Sequence, residues 1–381
     1  MNVLMDGQPL LGPKSGISRY VSSLYTPLSK DPNISLRLAF NNMVKPLKRS
    51  EMNLNSEIDP IYVNQRYPYK VIRRLTNPSF IYNYPYDLFA SSKADIYHGT
   101  NYTLTKVVRG KTIVNIHDLA FLKYPETTSQ RIYNHHSRWV PYCARECDHI
   151  IAISDQTKRD IVEMLHIPEQ KITVIPLAAD DHFSPVSLSR VMPVLEKYQL
   201  PDRYLLFVGT LEPRKNLLGL LRSYVLLKHN TSVTQKLVIV GARGWKYSPV
   251  FDFVREHRLE NDVMFMGFVD EDDLPFIYNG ASVFVMPSLY EGFGMPIVEA
   301  MKCGIPVIGS DISSIPEIIR SYGRLVPPDQ HETWAQEIHK LITDSNHHRQ
   351  YTELSLLRAR EYSWERTALA TKQLYQAVLN A

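Results

Sequence analysis

The chain has 381 residues, with 43 Lys plus Arg against 39 Asp plus Glu, and 44% of its residues are apolar. That length and apolar content suit two hydrophobic cores and exclude a single small module, a disordered chain and a glycine-periodic fibre. A formal charge of +4 is too mild to call for a nucleic-acid partner, although it accords with anionic substrates such as phosphates.

Short β-branched and aliphatic runs recur with helical stretches between them, the pattern of parallel sheets wrapped by helices. In chain order the first predicted strands are 2–5, 36–40, 96–98, 113–116, 150–153 and 172–175. A second series follows at 204–208, 236–240, 263–266, 283–286 and 306–308. Between the series, Pro185, Pro193 and Pro201 interrupt residues 183–201, which read as a connection. Two α/β domains are therefore expected, 1–183 and 202–361, joined by a linker at 184–201. Residues 362–381 read as a closing amphipathic helix with Ala368, Leu369, Leu374 and Val378 on its apolar face. Ligands of open parallel sheets bind beyond the carboxyl ends of the strands, so a central cleft between the domains is the expected place for a site.

Four segments carry candidate chemistry. The first strand runs into Gly7, Gly12 and Gly16, and glycine lets backbone N–H groups approach an anion at a positive helix end. The string GQPLLGPKS fails the phosphate-loop pattern because Pro13 separates Gly12 from Lys14. In FVGTLEPRKN, Arg214 and Lys215 follow a buried strand directly, well placed for a diphosphate; an isolated pair would more simply be a solvated loop. In PSLYEGFGMPIVEAMKCGIP, Glu291 sits in a glycine-bracketed turn, and Pro296 opens a helix that carries Glu299. Ionised carboxylates so placed accept hydroxyl hydrogen bonds from a sugar and a ribose, against the plainer readings of a loop charge and a helix-dipole partner. In TIVNIHDL, His117 and Asp118 leave the end of another strand.

Other patterns are discounted. Asp270, Glu271 and Asp272 resemble a metal diad, but helix-cap chemistry explains them. Cys143, Cys147 and His149 lack a fourth ligand at zinc spacing, so no metal is expected. His135, His136, His347 and His348 read as polar-face residues. Three cysteines are too few for a disulfide framework and suit a reducing compartment. With no signal-peptide pattern at the start and no apolar run near the roughly 20 residues that span a bilayer, a cytoplasmic location is expected.

Taken together, GTLEPRKN, the long segment GFVDEDDLPFIYNGASVFVMPSLYEGFGMPIVEAMKCGIPVIGSDISSIPEI, and GPKSGISRY, NIHDLAF, IIAISDQTKRDIVEML and YSWERTA resemble the retaining glycosyltransferases of family four. The resemblance covers nearly all of the chain outside residues 44–92. It implies the GT-B fold: two Rossmann-like domains facing a central cleft, with the C-terminal helix returning to the first domain. It also implies that Arg214 and Lys215 hold a sugar nucleotide's diphosphate, that Glu291 contacts the donor sugar, and that Glu299 binds the ribose. Phe293, Gly294, Met295 and Pro296 would line the donor pocket, and backbone groups around Val269 would read the base. His117 would meet the sugar near its 6-position, and Gly16 would let the N-terminal loop approach the diphosphate. Such enzymes need no bound metal or cofactor.

Within that family the likeness is to bacterial mannosyltransferases of surface polysaccharide (O-antigen) synthesis, which implies GDP-mannose as donor and a lipid-linked or oligosaccharide acceptor. UDP-glucose and UDP-N-acetylglucosamine are the alternatives. Residues 45–74 hold Lys45, Lys48, Arg49, Arg66, Lys70, Arg73 and Arg74 among Tyr62, Tyr67 and Tyr69. These side chains suit acceptor stacking or anionic lipid, hence peripheral association with the inner face of the membrane, while the likeness implies other polysaccharide-assembly enzymes as partners; the plainer reading of the segment is a solvated insertion. Asp118, Tyr67 and Tyr69 are the acceptor-side candidates. A two-carboxylate glycoside hydrolase and a non-catalytic sugar-nucleotide sensor are the competing functions.

Overall fold

The computed structural model describes residues 1–12, 15–41, 47–54, 60–64, 93–104 and 107–381. These fall into two compact units, Met1–Leu177 with Trp364–Ala381, and Ala178–Ser363.

The first unit is built on a seven-stranded sheet, all of whose strand pairs are parallel. Its strands are β1 (Asn2–Asp6), β2 (Ser35–Phe40), β3 (Tyr62–Asn64), β4 (Ile96–Gly99), β5 (Lys111–Ile116), β6 (His149–Ala152) and β7 (Ile172–Val174), in the order β3-β2-β1-β4-β5-β6-β7. Val3 of β1 pairs with Leu36 on one side and Ile96 on the other, so strand order reverses between β1 and β4. Such a reversal opens a crevice at the carboxyl ends of the two strands. The helices Gly16–Ser29 and Trp364–Asn380 pack together on this unit.

The second unit repeats the plan with six strands: β8 (Tyr204–Val208), β9 (Lys236–Val240), β10 (Val263–Gly267), β11 (Ala281–Met286), β12 (Val307–Ser310) and β13 (Arg324–Val326). Their order is β10-β9-β8-β11-β12-β13, again parallel, with the reversal between β8 and β11. Every residue of β11 is buried, as a central strand covered on both faces must be. Leu205, Phe207, Leu221, Val283, Val285, Trp334 and Ile338 form the core beneath it.

Three local readings differ from the sequence expectation. Residues 184–201 belong to the second unit and carry a helix, Leu188–Lys197. Pro193 lies within it on the exposed side, and Ser189, whose carbonyl it cannot bond, is also exposed, so water can satisfy that group. In the helix Trp364–Asn380, Ala368, Leu374 and Val378 are buried but Leu369 is 55% exposed; Trp364, Thr367, Thr371 and Tyr375 complete the buried face. The acidic run before the helix Leu274–Gly280 forms no side-chain cap bond there, and the adjoining Asp273 instead pairs with Lys197 at 2.6 Å and accepts from the Tyr198 hydroxyl. Among the described residues no helix is long and apolar enough to cross a membrane.

Candidate active site

The reversal between β8 and β11 brings together the two segments that sequence singles out. After β8 the chain makes a short turn, Pro213–Lys215, and Asn216 takes a left-handed conformation (φ 54°) that starts the helix Leu217–Asn230. The Asn216 side chain donates to the carbonyls of Pro287 and Pro328, and Leu289 N–H donates to the Arg214 carbonyl at 2.8 Å. Residues 76 and 77 positions apart in sequence thus meet: Lys215 Nζ lies 2.6 Å from Glu291 Oε1 and an Arg214 nitrogen 3.0 Å from Glu291 Oε2. The other end of the Arg214 fork reaches Glu212 at 2.6 Å, and the Tyr290 carbonyl takes a further bond.

Two positive and two negative side chains therefore form one quartet. Glu212, Lys215 and Glu291 are all buried. Burial alone would raise the Glu291 carboxyl, but Lys215 and Arg214 outweigh it and hold the group down at about 2. Each Glu291 oxygen takes one cation and keeps a lone pair for another donor. The turn carrying Glu291 is pinned by two serines. Ser313 accepts from Glu291 N–H at 3.0 Å and donates to its carbonyl at 2.8 Å, while Ser314 donates to the carbonyls of Glu291 and Phe293.

That turn ends at Gly294, whose φ of 109° a side chain would strain; a Cβ there would also lie 3.2 Å from Ile297 Cδ1. Gly294 opens the helix Met295–Lys302, which has Pro296 in its first turn and no side chain capping it. Its first N–H groups carry the partial positive charge of a helix end. Phe293 and Met295 are buried beside this start, and Glu299, on the same helix, is 2% exposed and accepts from the Tyr278 hydroxyl at 2.7 Å. Val269 is buried just past β10, next to Phe268, which is 66% exposed.

In the first unit, His117 follows β5 and is buried, with Nε2 2.8 Å from the Thr100 carbonyl. A carbonyl only accepts, so Nε2 carries the proton. Burial lowers the pKa of the ring, against the Thr100 bond and Asp118, so the imidazole is neutral and Nδ1, which no described residue bonds, is an acceptor. Asp118 is half-buried and accepts from Ala120 N–H at 3.0 Å. Gly16 is exposed at the first turn of Gly16–Ser29, which Ser15 caps. Of the basic, tyrosine-rich segment, Lys45, Arg66, Tyr67, Tyr69, Lys70, Arg73 and Arg74 lie outside the described residues, as do Pro13 and Lys14, while Lys48, Arg49 and Tyr62 lie within them.

Sequence reasoning passed over Glu212, Ser313, Ser314, Tyr278 and His136. Glu212 had a signal, two positions before Arg214. His136, expected on a polar face, lies against Tyr102 at 4.6 Å with the rings tilted by 34° and meets Phe121 edge-on at 5.3 Å. His149 bonds Thr173 Oγ1, and Cys143, Cys147 and Cys303 are buried and form no disulfide. Among the described residues no three His, Cys, Asp or Glu side chains gather in a metal-binding arrangement.

Comparison with known proteins places this geometry in a family. Residues 17–183 match the family described as Glycosyltransferase Family 4, and residues 196–355 match Glycosyl transferases group 1. The chain is 32% identical over 282 residues to the O-antigen chain mannosyltransferase B of Escherichia coli, covering 74% of each. It is 31% identical over 229 residues to the serotype-specific mannosyltransferase WbdA of Escherichia coli, covering 58% of this chain but 28% of that longer one. Among solved structures, sucrose-phosphate synthase from Thermosynechococcus elongatus matches with a TM-score of 0.76 at 20% identity, over 100% of this chain and 99% of that one. Anabaena Alr3699/HepE, solved in complex with UDP-glucose, matches with a TM-score of 0.73 at 17% identity, over 99% and 100%. With two reversed parallel sheets, both segments matched and this degree of identity to a relative, the chain belongs to the family four glycosyltransferases of the GT-B fold.

Proposed function

We propose that this glycosyltransferase moves mannose from GDP-mannose, with retention at the anomeric carbon, onto a lipid-linked or oligosaccharide acceptor in bacterial surface-polysaccharide assembly of the O-antigen type. The observation that carries the reading is the locking of Arg214 and Lys215 onto Glu291 at the β8–β11 reversal. It pairs cations for a diphosphate with a carboxylate that still has lone pairs for sugar hydroxyls. The likeness to O-antigen mannosyltransferases supports mannose.

In this reading Arg214, Lys215 and the N–H groups at the start of Met295–Lys302 stabilise the leaving diphosphate by preorganised charge. Glu291 accepts from donor-sugar hydroxyls, Glu299 from the ribose, and backbone groups around Val269 from the base. Phe293, Gly294, Met295 and Pro296 line the donor pocket. His117 Nδ1 accepts from a sugar hydroxyl, Gly16 admits the N-terminal loop to the diphosphate, and Asp118, Tyr67 and Tyr69 serve the acceptor. The bond from the anomeric carbon to the diphosphate oxygen breaks, and the acceptor oxygen bonds the same face of that carbon. The acceptor proton passes to the departing phosphate, so nucleoside diphosphate leaves. Glu291 is not a nucleophile, and no metal takes part. The work is done at a membrane surface beside other assembly enzymes.

The test is incubation of purified protein with GDP-mannose, UDP-glucose and UDP-N-acetylglucosamine, with mannose oligomers as acceptors and with and without EDTA, separating products by mass and linkage. The expected result is an α-linked mannose product from GDP-mannose that EDTA does not abolish. Consumption of a UDP-sugar alone would replace the donor assignment, and release of sugar to water alone would replace transfer with hydrolysis.

A further inference from the structure

Four buried polar side chains join the helix Trp364–Asn380 to the strand end that bears His117. Tyr375 Oη lies 2.7 Å from His98 Nδ1, His98 Nε2 meets Asn115 Oδ1, and Tyr20 Oη lies 3.1 Å from the same amide oxygen. None of the four is more than 2% exposed. An amide oxygen only accepts, so Tyr20 and His98 Nε2 both donate to it. His98 Nδ1 is then left with a lone pair, and Tyr375 must donate to it. With the Asn115 oxygen facing Tyr20 and His98, the proton in each of these three bonds is assigned and the groups are all neutral, while the buried Asn115 Nδ2 has no partner among the described residues.

This network ends at His117. Asn115 lies two residues before it on β5, and the Tyr20 ring packs edge-on against the His117 ring, centroids 5.4 Å apart and planes at 80°. Trp364 backs the Tyr20 ring at 6.1 Å. Tyr102, in the left-handed region at φ 60°, also meets His117 edge-on at 5.4 Å. The imidazole plane is thus set by the Thr100 carbonyl and two tyrosine rings. The Tyr20 ring is tethered at its far end by a buried hydrogen bond to a residue of the strand that leads into His117. An apolar ring of the same shape would fill the same space without fixing how far it sits along the His117 face.

We propose that Tyr20 is a positioning residue for His117, itself held through Asn115 and His98 by Tyr375 of the C-terminal helix. The inference rests on the reading of His117 as an acceptor for a substrate hydroxyl. Its consequence is that the C-terminal helix, which need touch no substrate, contributes to turnover through one hydroxyl.

The experiment compares wild type, Tyr20→Phe, Tyr375→Phe, His117→Ala and the double variant Tyr20→Phe/His117→Ala. The readouts are turnover of GDP-mannose, thermal melting, and the 15N resonances of histidine-labelled protein. Wild type is expected to show His117 locked with its proton on Nε2. Tyr20→Phe should move or broaden those resonances and lower kcat about tenfold, the scale of a modest misplacement. In the His117→Ala background the same change should alter kcat less than about twofold, because the two residues act as one unit. Tyr375→Phe should act in the same direction by about threefold, and it carries the test if Tyr20→Phe fails to fold. Unchanged His117 resonances in folded Tyr20→Phe or Tyr375→Phe, or an equal loss of kcat with and without His117, overturns the proposal. Wild-type turnover by His117→Ala would instead overturn the reading of His117, while the resonances, which need no substrate, still decide whether Tyr20 sets the ring.

Discussion

In the first unit Tyr20, His98, Asn115 and Tyr375 are joined by hydrogen bonds between neutral groups, whereas in the second Glu212, Arg214, Lys215 and Glu291 are joined as two cations and two anions. Both sets are buried or nearly so, and both lie near the reversal of a parallel sheet. The neutral set is held by hydrogen bonds between fixed neighbours and carries no charge to offer an ion. The charged set sums to zero, so an incoming anion can take the cations while the carboxylates turn to hydroxyl groups. Fixed shape and exchangeable partners are different uses of buried polarity, and the two can be separated by experiment.

The largest effect is expected from breaking the charged set. Lys215→Ala leaves a buried carboxylate with one cation fewer and removes a group aimed at developing charge, so kcat should fall about 100- to 1,000-fold while the circular dichroism stays that of a folded protein. Near-normal turnover would remove Lys215 from the chemistry.

Acid should then distinguish the two sets by pH window. Burial, with a smaller contribution from His117 and against the Asn115 bond, holds His98 at about 4 rather than the ordinary 6.5. The unfolded chain therefore binds a proton below 6.5 that the folded chain refuses until about 4. Stability is whole above 6.5 and is lost as pH falls toward 4, by about 3 kcal/mol for this one group. Glu291 titrates near 2 folded against 4.5 free, so its share is present above 4.5 and is lost between there and 2. Urea unfolding from pH 7 to pH 4 should show a steeper loss for wild type than for His98→Gln; parallel curves would mean His98 is not held neutral.

The smallest effect tests whether the ion pairs or the backbone places Glu291. Gly294→Ala forces a side chain into a left-handed position, which costs about 1–2 kcal/mol by chemical denaturation. If the ion pairs alone held the turn, that variant would keep wild-type stability and turnover.

Much of this was legible in the sequence. The predicted strands all occur, because β-branched runs between glycine and proline signals leave little choice, and the Glu291 turn announced itself by its own glycines and Pro296. The strands β3 and β13 were not legible, because YVN and RLV are too short and too polar to make an apolar run, whereas the equally short edge strand β7 begins on Ile172 and runs into Ile175. The helix Leu188–Lys197 was missed because Pro193 looks like a breaker until its exposed face is seen. Leu369 was misplaced by a fraction of a helical turn. Beside the site, Arg214 and Lys215 read as free positive charge, and only the fold shows Glu212 and Glu291 cancelling it. Tyr20 and Asn115 are 95 residues apart, and no local pattern tells that their side chains meet.

The first unit is assembled from two stretches of chain with the whole of the second unit between them. During synthesis, residues 1–177 emerge long before Tyr375 and Trp364 exist, so His98 Nδ1 waits without its donor and the Tyr20 ring without its backing. The early part of the chain is thus held short of its finished form until the second unit has been made. A nascent chain that stops before residue 364 lacks both the donor to His98 and the backing of the Tyr20 ring.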